Sequence, residues 1–229
     1  MKRRFLAVAM AGVLAAGGAV VVGTAGWAAT APNATCKPGG VVGLGVYNNV
    51  VVPAQDNGSN YCFISGATIN GTLTVQSGGA VEIFTSTIHK ITSNGAGIGT
   101  DTVHFSILMC QSTVNSTMTI NGSQSGVFIG DTDFSGGGCN GNTLNGASNT
   151  LNDNHGGVEV DSNTVNGNLS VNDTTGNVDP GVDTDSPPET TDVSNNSDST
   201  HRLTCSGNAP TVVSSGNTFA SYPGGQCGP

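Results

Sequence analysis

Residues 67–75 read Ala-Thr-Ile-Asn-Gly-Thr-Leu-Thr-Val, and the phrase returns twice. It stands as Ser-Thr-Val-Asn-Ser-Thr-Met-Thr-Ile at 112–120 and as Asn-Thr-Val-Asn-Gly-Asn-Leu-Ser-Val at 163–171. Each copy is a strand, a corner and a second strand. Recurrence of such a unit along a chain is the mark of a solenoid, in which each unit buries its apolar face against its neighbours. Working outward, Thr68, Thr87, Thr113, Asp133, Thr143 and Thr164 begin corresponding strands, at intervals near twenty with one short step from 133 to 143. Shorter runs lie between them: Val81 to Phe84, Val103 to Ile107, Val127 to Ile129 and Val158 to Val160. Apolar and polar residues mostly alternate in these runs, as strands with one buried face require.

The alternation assigns faces. Ile69, Leu73 and Val75 are expected inward, as are Val114, Met118 and Ile120, and Val165, Leu169 and Val171. Gly and Asn fill the gaps because tight corners use left-handed backbone angles. Corner asparagines Asn70, Asn115 and Asn166 are expected to stack as an amide ladder. No segment after the first thirty residues carries a helical period. The expectation is an all-β chain, a right-handed single-stranded parallel β-helix of roughly six or seven coils.

The N-terminus reads differently. Lys2, Arg3 and Arg4 precede an uncharged run from Phe5 to Val22, and small residues follow around Gly26, Ala28 and Ala29. This is the pattern of a secretory signal peptide, expected over 1–29 and cut near Ala28 or Ala29. Residues 30–64, with Pro32, Pro38, Pro53 and an apolar stretch from Val41 to Val52, are expected to form an N-terminal cap over the open strand edges of the helix at 65–229. The stretch 172–199 is rich in Asp, Thr, Ser and Pro, and is expected to leave the repeat as an acidic loop.

Cysteine usage agrees with export. Six cysteines stand at 36, 62, 110, 139, 205 and 227, an even number in a chain with a signal peptide. They are expected to form three disulfides in an oxidising compartment. Fifteen pairings are open. Neighbours along the chain are preferred, Cys36–Cys62, Cys110–Cys139 and Cys205–Cys227, because residues one coil apart stack within bridging distance.

Charge narrows the partners. The formal net charge is −9, and removal of the signal leaves Lys37, Lys90 and Arg202 against 15 acids, a charge of −12. Such a surface has no basic footprint for nucleic acid and no attraction for anionic lipid, so neither nucleic acid nor, after signal removal, a membrane is expected as partner.

The C-terminal third carries a resemblance. Asn-Thr-Val-Asn-Gly-Asn-Leu-Ser-Val at 163–171, Leu-Thr-Cys-Ser-Gly-Asn-Ala-Pro at 203–210, Ser215-Gly216-Asn217-Thr218 and the closing Gly225-Gln226-Cys227 resemble a group of secreted actinobacterial right-handed parallel β-helix proteins with the pectin-lyase-like fold. The resemblance covers about residues 65–229. It implies that the last-coil cysteine pairs with the one in the final Gly-Gln-Cys. The group brings no established activity with it, and the acidic stretch 172–199 departs from its more compact pattern.

Parallel β-helices often act on polysaccharides, so catalytic sets were sought. A lyase needs calcium-binding carboxylates and a basic proton acceptor, and the mature chain holds three cations in all. A hydrolase needs two facing carboxylates. Asp131 with Asp133, and Glu159 with Asp161, stand at i, i+2 and so share a strand face, and His155 lies near the second pair. Glu159 or Asp161 as acid, with His155 beside them, is the best catalytic set available. The simpler reading is solvated carboxylates on a wet face. The histidines and serines do not form a nucleophile elbow, and Gly122-Ser123-Gln124-Ser125-Gly126 does not match one. Calcium is the one ion suggested, at Asp179, Asp183, Asp185 and Glu189, with Asp192 and Asp198 nearby. Thr72/Thr74, Thr85/Thr87 and Thr117/Thr119 are Thr-x-Thr pairs, which on a flat face can order water. They do not recur in every coil, and threonine is in any case a good strand residue.

The expected role is therefore non-enzymatic: a secreted or cell-surface structural or binding protein whose polar face contacts a cell-wall polymer, a glycan or a surface protein. The alternative is a small polysaccharide-active lyase or hydrolase using carboxylates on one helix face.

Overall fold

Strands form where apolar and polar residues alternate, and burial follows the alternation. The computed structural model of the chain describes residues 31–55, 60–98, 105–130, 139–176, 191–209, 212–223 and 225–228. In chain order the strands are β1 (Ala34–Thr35), β2 (Val41–Val42), β3 (Gly45–Tyr47), β4 (Val50–Val52), β5 (Cys62–Ser65), β6 (Ala67–Val75) and β7 (Val81–Phe84). Next come β8 (Thr87–Asn94), β9 (Phe105–Cys110), β10 (Thr113–Val114), β11 (Met118–Asn121), β12 (Gly126–Ile129), β13 (Thr143–Leu144) and β14 (Ser148–Asn152). The last are β15 (Val158–Asp161), β16 (Thr164–Val165), β17 (Asn168–Asn172), β18 (Thr191–Ser194), β19 (Leu203–Ser206) and β20 (Val213–Ser215). No helix occurs among the described residues.

The strands make two parallel sheets. The twelve-stranded sheet follows β1-β4-β6-β8-β11-β14-β17-β19, with β3, β10, β13 and β16 pairing beside that path. The eight-stranded sheet runs β2-β5-β7-β9-β12-β15-β18-β20. The chain thus visits the sheets in turn, and from β4 onward each strand pairs with one from an earlier visit.

The register follows the expected series of threonines except that Thr113 pairs directly with Thr143, so Asp133 does not take the place expected between them. Thr68 pairs with Thr87, Thr87 with Thr113, Thr113 with Thr143 and Thr143 with Thr164. All nine side chains assigned inward are buried, and they join residues of the other sheet, such as Ile64, Val81 and Ile83, in one continuous core. Full burial of each such aliphatic contributes about 1.5–3 kcal/mol.

Two findings revise the expected organisation of the chain. The Val41 to Val52 stretch is three short strands, β2 to β4, because Gly43 and Asn48-Asn49 interrupt it. β1 to β5 belong to the same two sheets as the later strands, so residues expected to cap the stack are paired within it. Within 172–199, β18 pairs with β15 and β20, so the repeat resumes at Thr191. The alternation Thr191-Asp192-Val193, with Val193 fully buried, carries that return. The signal segment 1–29 and residues Val103, His104, Asp131 and Asp133 lie outside the described residues.

Corners are built by one recurring device. Gly66, Thr85, Gln111, Ser162, Asn195 and Gly216 all have φ between 46° and 64°, the left-handed region. Each precedes a small residue, Ala67, Ser86, Ser112, Asn163, Asn196 or Asn217. From Ser86 on these residues form a buried ladder. The Ser86 N–H donates to Ser112 Oγ (3.0 Å), and the Ser112 N–H to Asn142 Oδ1 (2.9 Å). Asn142 donates its N–H and Nδ2–H to Asn163 Oδ1 (2.9 and 3.0 Å), Asn163 does the same to Asn196, and Asn196 to Asn217. Each of these amides also reaches back to a strand carbonyl, as Asn163 Nδ2–H does to Ile129 O (2.6 Å). Buried polar groups are thereby satisfied along the corner. At Gly216 a Cβ would stand 2.4 Å from Asn195 Oδ1, so a larger residue there would require that side chain to move.

The asparagine ladder expected on the surface exists, but in a different membership. Asn166 Nδ2–H donates to Asn145 Oδ1 (2.8 Å) and Asn145 Nδ2–H to Asn115 Oδ1 (3.3 Å). A further corner holds Ser123, Asn154, Thr174, Asn208 and Gln226. There the Ser123 N–H bonds Asn154 Oδ1, the Thr174 N–H bonds Asn208 Oδ1, and the Asn208 N–H and Nδ2–H bond Gln226 Oε1.

All six cysteines are paired as preferred: Cys36–Cys62, Cys110–Cys139 and Cys205–Cys227, with Cα separations of 5.7, 4.9 and 5.3 Å. The first ties β1 to β5 and the last ties β19 to the tail. The middle one packs with Phe105, Leu108 and Phe128 in a small second cluster on the eight-stranded sheet.

Candidate functional site

Along the twelve-stranded sheet from β6 onward, threonine or serine alternates outward between inward aliphatic residues, and the register stacks these hydroxyls into columns that continue from Val46 of β3 and Val51 of β4. One column runs Thr68, Thr87, Thr113, Thr143, Thr164, Ser197, Thr218. A second runs Thr74, Thr92, Thr119, Thr150, Ser170, Thr204. None of these side chains is buried. Adjacent strands repeat at about 4.8 Å, so each column is a row of hydroxyls at that spacing. The Asn115–Asn145–Asn166 ladder stands two residues beyond the first column, on the same side.

This sheet is also electrostatically distinct. None of its twelve strands contains Asp or Glu, although the chain has 15 acids. Lys90 is the charged residue of its strands, and Arg202 stands immediately before β19. The two columns offer neutral donors and acceptors in a regular array, beside His89 and Lys90 of β8.

A cavity of about 370 Å³ opens at the end of the first column, lined by Asn166, Ser197, Asp198, Ser199, Thr200 and Thr218. Asp198 forms its inner wall. It accepts from the Thr200 N–H (2.7 Å), Thr200 Oγ1 (2.9 Å) and the His201 N–H (3.1 Å), and His201 Nδ1 lies 2.7 Å from Oδ2. Burial pushes its carboxyl up, and these four bonds more than reverse that, leaving it below the usual carboxylate range. Asp198 is held as an anion whose lone pairs are engaged.

The predicted catalytic residues stand on the other sheet or at its edge. Glu159 and Asp161 share one face of β15, as their spacing requires. They are not the solvated side chains the wet-face reading expects: Glu159 is 6 % and Asp161 5 % exposed. The cause is lateral packing, with Phe128 and Asp192 in register on either side of Glu159, and Ser162 and Asn195 donating to Asp161 (both 2.9 Å). His155 precedes β15 on an exposed turn, where Nδ1 lies 3.0 Å from Thr175 Oγ1 and Nε2 3.8 Å from Asp153. It thus bonds Thr175 and faces Asp153 rather than Glu159 or Asp161. Asp192 is bonded by Ser194 Oγ.

The proposed calcium ligands Asp179, Asp183, Asp185 and Glu189 lie outside the described residues. Among the described residues no group of three or more His, Cys, Asp or Glu side chains is gathered to hold a metal ion. Further along the same outward row, burial raises the Glu82 carboxyl, a hydrogen bond from Tyr61 partly opposing it. Burial first, then the Glu82 charge and hydrogen bond, push the Tyr61 hydroxyl up to about 12.

The chain matches no protein-family model, no curated protein and no solved structure.

Sequence reasoning missed Thr150, Ser170 and Thr204 as continuations of the Thr74 column. The available signal was a triplet, aliphatic-Thr/Ser-aliphatic, in Leu73-Thr74-Val75, Met118-Thr119-Ile120 and Leu169-Ser170-Val171. It also missed the pairing of Asp198 with His201, whose i, i+3 spacing is unremarkable without the turn that joins them.

Proposed function

We propose that the two sheets are successive faces of a right-handed parallel β-helix, exported after loss of residues 1–29, and that the protein is a non-enzymatic binder of a linear, neutral cell-wall or extracellular glycan. Three disulfides support an oxidising, extracellular setting. In this reading the chain is one of the secreted actinobacterial β-helix proteins that its C-terminal motifs resemble. The hydroxyl columns carry the assignment: an acid-free sheet whose strands from β6 onward bear an outward hydroxyl can exchange hydrogen bonds with an extended polysaccharide lying along it. Sequence-tolerant polar contacts of this kind gain strength by repetition rather than from any one residue. The cavity at Asn166 and Thr218 would receive the end of the polymer.

The test is co-sedimentation with insoluble neutral β-linked glycans. Retention by at least one, and its loss in a Thr119→Tyr/Thr150→Tyr variant whose rings break the flat array, is the expected result. Retention undiminished in that variant, or no retention by any neutral glycan, refutes the assignment. Turnover of a glycan that Glu159→Ala abolishes would establish the enzymatic alternative instead.

A further inference from the structure

Asparagine stacks in this fold by bonding asparagine. The Asn142–Asn163–Asn196–Asn217 ladder and the Asn115–Asn145–Asn166 ladder both pass side-chain amide bonds from one rung to the next. A further column does not. Asn94 pairs in register with Asn121, Asn121 with Asn152, Asn152 with Asn172 and Asn172 with Ser206. Among the described residues the side-chain amides of Asn94, Asn121 and Asn152 bond nothing in the protein, and that of Asn172 only accepts from Ser206 Oγ (2.9 Å). None of these side chains is buried.

This column stands beside the hydroxyls. Each member lies two residues past Thr92, Thr119, Thr150, Ser170 or Thr204, and so on the same face, about 6.6 Å away. Amides and hydroxyls therefore run side by side, each at the strand spacing of about 4.8 Å. A side-chain amide carries both donors and an acceptor. A partner that uses both is another amide, as the two internal ladders demonstrate. A ligand that matches both columns carries amides as well as hydroxyls along its length.

We propose that the amide column selects, among neutral glycans, an unbranched β-linked polysaccharide of N-acetylated amino sugars. Its acetamido groups bond Asn94, Asn121 and Asn152 while its hydroxyls lie on the threonine column. This rests on the glycan reading above and narrows it to one class of polymer. Peptide stems hung on the sugars would hold the chain off the two columns.

Co-sedimentation with chitin, cellulose and peptidoglycan tests it, with an Asn94→Ser/Asn121→Ser variant beside the parent. Ser206 occupies the same column, so serine fits there. Chitin should retain the parent at least about tenfold more strongly than cellulose does, the effect of two hydrogen bonds at their usual net worth. The variant should lose that preference and hold cellulose as the parent does. Deacetylated chitin, in salt that screens its charge, should retain the parent no better than cellulose. Equal retention by chitin and cellulose, a variant that still prefers chitin, or retention by peptidoglycan or deacetylated chitin that matches chitin overturns the inference and leaves the neutral-glycan reading standing. No retention by either chitin or cellulose overturns both.

Discussion

Replacing Asn163 by alanine tests whether the buried amide ladder, rather than the apolar core alone, holds the strands in register. Asn163 Oδ1 accepts both the N–H and one Nδ2–H of Asn142, and its own Nδ2–H groups donate to Ile129 O (2.6 Å) and Asn196 Oδ1 (2.9 Å). Alanine removes all four. The Asn142 N–H is then buried without an acceptor, which costs about 1–3 kcal/mol, and loss of the amide contacts adds roughly another 1. The expected destabilisation is about 2–4 kcal/mol, a large share of the 5–15 kcal/mol typical of a domain. Asn145→Ala is the matched control. It removes two hydrogen bonds of the same chemistry from an exposed ladder, where water replaces them, and should cost no more than about 0.5 kcal/mol. Asn163→Asp adds a sharper test. It keeps an acceptor for Asn142 but turns a second acceptor toward Ile129 O, so it should be worse at neutral pH than at acid pH, where the carboxyl can donate. Urea unfolding followed by circular dichroism gives the comparison, with equal slopes required before midpoints are converted to free energies. Equal losses for Asn163→Ala and Asn145→Ala would refute the reasoning and leave the ladder a consequence of the fold.

Two further outcomes follow from particular side chains. Thr174 Oγ1 and Asn154 Nδ2 are both buried without a hydrogen-bond partner, at the point where the second corner ladder breaks. Thr174→Asn should bridge them and raise stability by about 1 kcal/mol, measured by the same urea titration; destabilisation would mean that the corner lacks room for an amide. Glu82 has its folded pKa raised, so its contribution is fully present below the unfolded value of 4.5 and is lost as pH rises through the folded value. Glu82→Gln should therefore be more stable than the parent at neutral pH, with the difference closing as the pH falls below that window. The same variant should bring the Tyr61 hydroxyl down from about 12, read from phenolate absorbance; a Tyr61 titration that does not move would show that burial alone sets it.

Much of the fold was legible because the repeat writes the same register at each pass. Thr68, Thr87, Thr113, Thr143 and Thr164 align by eye, and the pairing of β6, β8, β10, β13 and β16 follows. The neighbour pairing of cysteines was legible for the same reason, since residues one pass apart stack. The corners were not. A buried Asn142 and an exposed Asn145 look alike in sequence. Gly141 before Asn142 is not left-handed, but at the other rungs a left-handed residue turns the chain just before the ladder. That residue is Gly at 66 and 216 but Thr, Gln, Ser or Asn at 85, 111, 162 and 195, so composition hides the device. Burial of Glu159 and Asp161 was equally hidden. An i, i+2 pattern fixes which face a carboxylate shares, whereas its exposure depends on neighbours one pass away, here Phe128 and Asp192.

The corner ladder and the hydroxyl column are two sides of one dipeptide. In Ser112-Thr113, Asn142-Thr143, Asn163-Thr164, Asn196-Ser197 and Asn217-Thr218 the first side chain points into the stack and the second points out. A slip of one residue would expose the amide and bury the hydroxyl, so the bonds that lock the interior also set the spacing of the surface array. Strand propensity does not account for the uniformity of that array. The equivalent outward row of the eight-stranded sheet runs Val41, Phe63, Glu82, Leu108, Phe128, Glu159, Asp192, Val213. Aliphatic, aromatic and acidic residues all serve there as well as threonine does, in the same parallel geometry. If the fold accepts any of them, a sheet that from β6 onward shows only hydroxyls along two columns, after Val46 and Val51, and no acid on any strand, has a surface chemistry that the fold itself does not demand. A repeating polar partner is the physical circumstance in which such uniformity has an effect.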